Sequence, residues 1–169
     1  MKYTNELTES LKDFFGWNKA RVECLAQIIL SLFCVKTVNL TDLATGFKRK
    51  AKLESCYTRL KRFFREFKID YDAVAKFLFN LFVNKGEKCF IAIDRTNWDF
   101  GIKKINILML ALTYRGIAIP IYWKLLGKKG NTNTQERIEI LNRFIANFGL
   151  KVVGGIYSPL EFEIVLILY

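Results

Sequence analysis

The chain contains no histidine. That absence removes Ser-His and Cys-His nucleophile pairs, imidazole general bases and histidine metal sites together. Its four cysteines, Cys24, Cys34, Cys56 and Cys89, form no Cys-x-x-Cys pair and match no zinc spacing, so reduced, buried thiols are expected. No secretory signal is visible, because the start, Met1-Lys2-Tyr3-Thr4-Asn5-Glu6, is polar. No apolar run approaches the roughly 18 residues of a membrane span. Internal repeats and low-complexity stretches are missing as well. These absences favour a cytoplasmic protein that does not enter a membrane.

What is present is a core and an excess of positive charge. Half of the 169 residues are hydrophobic and 15% are aromatic, which allows one domain, or one domain with a small module, and argues against disorder. The net charge is +11, a balance that points to polyanion partners: DNA, RNA or an anionic membrane face. The charge is concentrated. Residues 46–68 hold nine basic side chains (Lys48, Arg49, Lys50, Lys52, Arg59, Lys61, Arg62, Arg65, Lys68) against Glu54 and Glu66, a net +7.

The first half reads as helical. Residues 20–35 are almost continuously apolar from Cys24 onward and predict a buried helix. Thr41 is expected to cap a short helix, Asp42-Leu43-Ala44-Thr45, that Gly46 closes. A longer helix is expected from about Lys52 to Phe67, with Leu53, Tyr57, Leu60, Phe64 and Phe67 on one face at helical spacing. That stripe should pack on the helix at 24–35. The opposite face carries Lys52, Ser55, Arg59 and Arg62, flanked by Lys61 and Arg65. A helix, a short helix with a turn, then a basic amphipathic helix is the order of a helix-turn-helix unit, so these six residues are the candidate DNA contacts. The same pattern also describes a solvated surface helix, or one lying on anionic lipid. Residues 71–83 predict a further helix, ended by Asn84-Lys85-Gly86, which serves as a linker.

In the second half the period changes. Strands are expected at 89–93, 105–114 and 117–125, turning at Asp99-Phe100-Gly101 and at Arg115-Gly116. This is a three-stranded antiparallel meander in which Pro120 marks an edge strand or a bulge. Asp94 would stand at the exposed end of the first strand. A carboxylate there can bind Mg²⁺, which takes few protein oxygens, or can simply start a turn through its own backbone. The loop Gly127–Thr134 lacks the Gly-x-x-x-x-Gly-Lys-Ser/Thr pattern of a phosphate loop. Thr132 with Gln135, or Asn133 with Glu136, can cap the helix that follows. That helix should present Ile138, Leu141, Ile145 and Phe148 on one face and stop at Gly149. A fourth strand is expected from Leu150 to Ile156.

Specific stretches resemble a known family. Ala92-Ile93-Asp94-Arg95-Thr96-Asn97-Trp98, Asn106-Ile107-Leu108-Met109-Leu110, Gly116-Ile117-Ala118-Ile119-Pro120, Trp123-Lys124-Leu125-Leu126 and Gly130-Asn131-Thr132-Asn133-Thr134-Gln135-Glu136-Arg137 are similar to the DDE transposases of bacterial insertion sequences, in the insertion-sequence-four group. Tyr57-Thr58-Arg59-Leu60-Lys61-Arg62-Phe63-Phe64-Arg65-Glu66-Phe67 resembles that group's N-terminal DNA-binding region. The resemblance covers most of residues 20–156. It implies an α+β protein: a helical, helix-turn-helix-like DNA-binding region over 1–86, then a partial ribonuclease-H-like core over 87–169. It implies double-stranded DNA, the transposon ends, as partner, and it is compatible with a homodimer. In the intact family three acids hold two Mg²⁺ or Mn²⁺ ions that activate water or a 3′-hydroxyl for attack on a phosphodiester. Asp94 matches the first acid, as catalytic residue and metal ligand.

The match fails where the second acid belongs. Ile156-Tyr157-Ser158-Pro159-Leu160-Glu161-Phe162 puts Pro159 in its place, and the third acid would lie beyond Tyr169. Glu161 and Asp99 are the acids nearest by position that could substitute. The final run Glu163-Ile164-Val165-Leu166-Ile167-Leu168-Tyr169 reads as the end of a truncated copy. The expectation is a transposase relative that binds DNA without productive metal binding or strand transfer. The alternative is a non-catalytic regulator that competes for transposon ends.

Overall fold

Asn18, Asn39, Asp70 and Asn133 each accept a hydrogen bond from a backbone N–H two or three residues on, and each opens a helix. In this computed structural model, which describes residues 2–47, 51–100, 103–127 and 132–157, those caps organise an α+β chain. A helical N-terminal part precedes a four-stranded mixed sheet. The chain divides into two compact units, Met1–Ile69 and Asp70–Tyr169.

The first unit holds α1 (Lys2–Phe15), α2 (Lys19–Val35), α3 (Leu40–Thr45) and α4 (Leu53–Glu66). Cys24, Ile28, Leu43, Ala44, Phe47, Cys56, Leu60 and Phe63 form its core. Three expectations need correction here. The cap of α3 is Asn39, whose side chain accepts from the Thr41 amide at 2.9 Å; asparagine is the stronger capping residue, and the helix begins one residue before Thr41. Gly46 does close α3, but in a right-handed conformation (φ −75°). Glycine is required there for space, since a Cβ would stand 2.7 Å from the Ser31 hydroxyl. Finally, α2 is buried only along one side, and near its end Phe33 and Cys34 are exposed. Cys34 is thus the exception among cysteines otherwise buried, and all four are thiols rather than disulfides.

The face that α4 buries is also not the expected one. Cys56, Leu60 and Phe63 are buried and Phe67 packs against them, whereas Leu53 and Phe64 are half exposed. Two stripes of helical spacing share Leu60 and Phe67, and the one through the small Cys56 faces the core.

The second unit opens with α5 (Tyr71–Phe82), followed by β1 (Cys89–Phe100), β2 (Lys103–Tyr114), β3 (Ile117–Leu126), α6 (Thr134–Phe148), a 3-10 turn (Leu150–Val152) and β4 (Val153–Tyr157). Helix α5, grouped with the N-terminal region by sequence, belongs with the sheet. Its Ala75 sits in one core with Ile91, Ile93, Leu108, Leu110, Leu112, Ile121, Tyr122, Ile140 and Phe144. The strand order is β3-β2-β1-β4. β1, β2 and β3 form an antiparallel meander, and β4 runs parallel to β1. Arg115 (φ 49°) and Gly116 (φ 82°) are both left-handed, as a two-residue hairpin turn demands. β3 is an edge strand, and its register shifts between the pairs Leu110–Tyr122 and Ala111–Pro120. Pro120 thus marks both an edge and a bulge.

On α6 the second of the two caps forms. Asn133 accepts from the Glu136 amide at 2.8 Å and the Glu136 carboxylate accepts from the Asn133 amide at 2.9 Å. Its buried residues are Ile140 and Phe144, with Leu141 and Phe148 partly buried. Ile138 is 42% exposed, because the helix turns toward the sheet about the Ile140–Phe144 line. The residues expected to begin the last strand, 150–152, instead form the 3-10 turn.

Candidate nucleic-acid interface

A groove of about 700 Å³ lies between the first turns of α2 and the length of α4. Its apolar lining comprises the half-buried Phe67 and the buried Cys24 and Phe63, with Ala20. Lys52, Ser55, Thr58, Arg59 and Arg62 line one wall because positions 52, 55, 59 and 62 repeat at helical spacing next to the buried Cys56–Phe63 stripe. Arg21 lines the other wall, its guanidinium 4.5 Å from the Phe67 ring centroid. Phe67 in turn meets Trp17 edge-on, with centroids 4.8 Å apart. Glu54 and Glu66 are the acids of the lining, and Glu66 accepts from Arg65 at 2.6 Å. The Arg65 hydrogen bond, against an opposing effect of desolvation and helped by the Arg65 and Arg62 charges, holds the Glu66 carboxyl below its ordinary range.

Of the six sequence candidates, the groove gathers Lys52, Ser55, Arg59 and Arg62. Arg59 is half-buried and already engaged. It donates to the Ala20 carbonyl at 2.7 Å and lies 3.9 Å from the Glu23 carboxylate, tying α4 to α2. Lys61 and Arg65 are exposed and lie outside the groove lining; Lys61 sits 5.4 Å from the Tyr57 ring centroid. Lys48, Arg49 and Lys50 lie outside the described residues.

Asp94 is placed differently from the sequence expectation. It is not at a strand end: β1 continues to Phe100, and Asp94 pairs with Met109 inside the ladder. The apolar run that ended at Asp94 marked only the part of β1 in the core. β1 and β2 stay paired as far as Phe100 and Lys103, whereas the described pairs of β3 end at Asn106, opposite Asn97, and those of β4 end at Ala92. Strand alternation puts Asp94 on the face opposite Ile91 and Ile93, hence opposite the α5–α6 core. Its side chain is exposed, and its Oδ1 accepts from the Arg95 amide at 2.6 Å. The Asp99 side chain, Pro159 and Glu161 lie outside the described residues. Among the described residues no three His, Cys, Asp or Glu side chains come together as a metal site. A single carboxylate does not fit a two-ion centre, so no metal-dependent step is assigned.

A polar cluster that sequence reasoning missed centres on Asp72, in the first turn of α5. Its Oδ1 accepts from the Tyr122 hydroxyl at 2.8 Å, from Arg143 Nε at 3.0 Å and from Asn147 Nδ2 at 3.2 Å. The Arg143 guanidinium also lies 4.7 Å from the Tyr122 ring centroid. The Arg143 hydrogen bond, aided by Tyr122, lowers the Asp72 carboxyl. Burial, then Asp72, raises the Tyr122 hydroxyl, so it remains a donor. The cluster links α5, β3 and α6, and its chemistry is that of a structural clamp. Only the acids at 70 and 72, opening a helix, were visible in advance.

Comparison with known protein families, with characterised proteins and with solved structures finds no match to this chain. Among the described residues no helix is long and apolar enough to cross a membrane.

Proposed function

We propose that the chain is a DNA-binding protein related to insertion-sequence transposases, holding duplex DNA through a helix-turn-helix-like α2–α3–α4 region and lacking strand-transfer activity. The observation that carries this reading is the basic wall of α4, where Lys52 and Arg62 are exposed beside a groove while Lys61 and Arg65 are exposed next to it. Fixed cations spaced along one helix suit a phosphate backbone. The second unit supports the transposase relationship. A meander, a crossover helix and a fourth strand parallel to the first, in the order β3-β2-β1-β4, is the strand arrangement of a ribonuclease-H-like core. Asp94 lies on the first strand two residues past Ala92, its last described pairing with β4. Pro159 in place of the second acid supports the loss of cutting.

Binding to labelled duplex DNA by fluorescence anisotropy at several salt concentrations tests the reading. Lys52, Lys61 and Arg62, the exposed cations of α4 other than the Glu66-bound Arg65, give an expected log–log salt slope on the order of −3. A slope near zero removes the electrostatic basis. In the same samples with Mg²⁺ or Mn²⁺ the DNA should stay intact, and nicking abolished by Asp94→Asn would overturn the inactive reading.

A further inference from the structure

We propose that the groove between α2 and α4 takes a single strand of DNA, so that the protein prefers DNA with an unpaired end to blunt duplex. This deepens, and rests on, the DNA-binding reading. A surface that holds only duplex backbone needs cations and hydrogen-bond donors; it has no use for an apolar floor, because duplex bases are stacked inside the helix. Here the half-buried Phe67, next to the buried Cys24 and Phe63, lines the same groove as Arg21, Lys52, Arg59 and Arg62. Apolar and aromatic surface beneath a basic rim is the arrangement that holds unstacked bases and their phosphates together.

The Arg21–Phe67 pair gives the platform a definite form. The guanidinium over the ring, at 4.5 Å, is a planar cation on an aromatic face. Bases stack on either kind of surface. An acidic peptide would satisfy the cations but has no flat aromatic faces to set against that pair. The acids of the lining do not cancel the charge, because Arg21, Lys52, Arg59 and Arg62 outnumber Glu54 and Glu66, and Glu66 is already held by Arg65. Along α4 the groove runs from Lys52 to Phe67, about 22 Å at ~1.5 Å per helical residue. A strand with unstacked bases is more extended than the ~3.4 Å per phosphate of a duplex strand, so that length holds fewer than about six nucleotides.

The test compares a blunt duplex, the same duplex with an oligothymidine overhang of about six nucleotides, and an oligothymidine strand alone, by anisotropy with the full chain. The overhang should tighten binding about tenfold over the blunt duplex. Thr58 lines the groove from an exposed helix position. Thr58→Leu, which adds bulk to the groove without a flat ring, should reduce the overhang advantage to within about twofold. It should leave circular dichroism unchanged, and Thr58→Val should behave as wild type. Equal wild-type affinity for blunt and overhang DNA overturns the inference and leaves duplex binding standing. An advantage that survives Thr58→Leu overturns it too, as does displacement of the overhang DNA by poly-glutamate as readily as by oligothymidine. Absence of binding to any of the DNAs overturns this inference and the reading beneath it together.

Discussion

Replacing Asp72 by asparagine should weaken the second unit in a way that depends on pH. Asp72 Oδ1 receives three donors, from Tyr122, Arg143 and Asn147. The Tyr122 bond comes from a nearly fully buried ring, and a bond to a charged acceptor in that position contributes about 1.5 kcal/mol. The Arg143 and Asp72 side chains are 45% and 40% exposed, so their ion pair is discounted for solvent screening to roughly 0.5 kcal/mol. The longer Asn147 contact adds about as much. Asp72→Asn should therefore cost about 2 kcal/mol at pH 7. The carboxyl is lowered in the folded state, so its contribution is complete above the unfolded value near ~3.9 and is lost as pH falls through the folded value. Urea unfolding followed by circular dichroism, on wild type and Asp72→Asn at neutral pH and near pH 2, measures this. The difference between the two proteins should be full at neutral pH and small in acid. A cycle with Tyr122→Phe should give a coupling energy of about 1 kcal/mol. Equal stability of the two proteins at neutral pH, a difference independent of pH, or zero coupling would each refute the reasoning.

Arg59→Ala should lower stability by about 1 kcal/mol, through loss of the Ala20 and Glu23 contacts, while hardly changing the salt slope of DNA binding. Arg62→Ser should do the reverse, reducing the slope by about 1 with little effect on urea unfolding. Gly46→Ala should destabilise by about 1–3 kcal/mol, because its methyl group would press on Ser31 Oγ and Cβ at 2.7 and 2.8 Å. The fully buried Ser31 hydroxyl has no hydrogen-bond partner among the described residues, so Ser31→Ala should be neutral or stabilising by up to about 1 kcal/mol. On α6, Phe144→Ala should cost about 3–5 kcal/mol and Ile138→Ala under about 0.5, since only the first is buried. Thermal or urea unfolding separates each pair.

Local chemistry made parts of this fold readable before the structure. The Arg115-Gly116 turn, the Asn133–Glu136 capping box and the double meaning of Pro120 each depend on residues close together in sequence, and each is present. Features set by distant partners were not readable. Nothing near Asp72 announces Arg143, 71 positions away. The face that α4 buries could not be fixed from its own spacing, because two stripes of that helix satisfy the same period; the choice is made by packing on α2 and α3. The full length of β1 was missed for a related reason. Arg95, Thr96 and Asn97 are polar, yet they form ladder pairs with Leu108, Ile107 and Asn106, of which Leu108 and Asn106 are buried. Helix α1 carried an unread signal, since Thr4, Thr8, Leu11 and Phe15 repeat at helical spacing and are its inward residues.

The basic segment itself shows why a charge count overstates a binding surface. The sequence treats Lys52, Ser55, Arg59, Lys61, Arg62 and Arg65 as one contact face. Packing separates them. Arg59 caps a carbonyl at the start of α2, Arg65 holds Glu66, Lys61 leans on Tyr57, and Lys52 and Arg62 remain on the groove wall. A cation engaged within the protein must give up that partner before it can neutralise a phosphate, so its contribution to DNA binding is the difference between two similar contacts. The salt slope counts only the ions released by net new contacts. It should therefore fall well below what the net +7 of residues 46–68 would give. A slope that matched the whole segment would mean that the Arg59 and Arg65 contacts open on binding, and with them the attachment of α4 to α2.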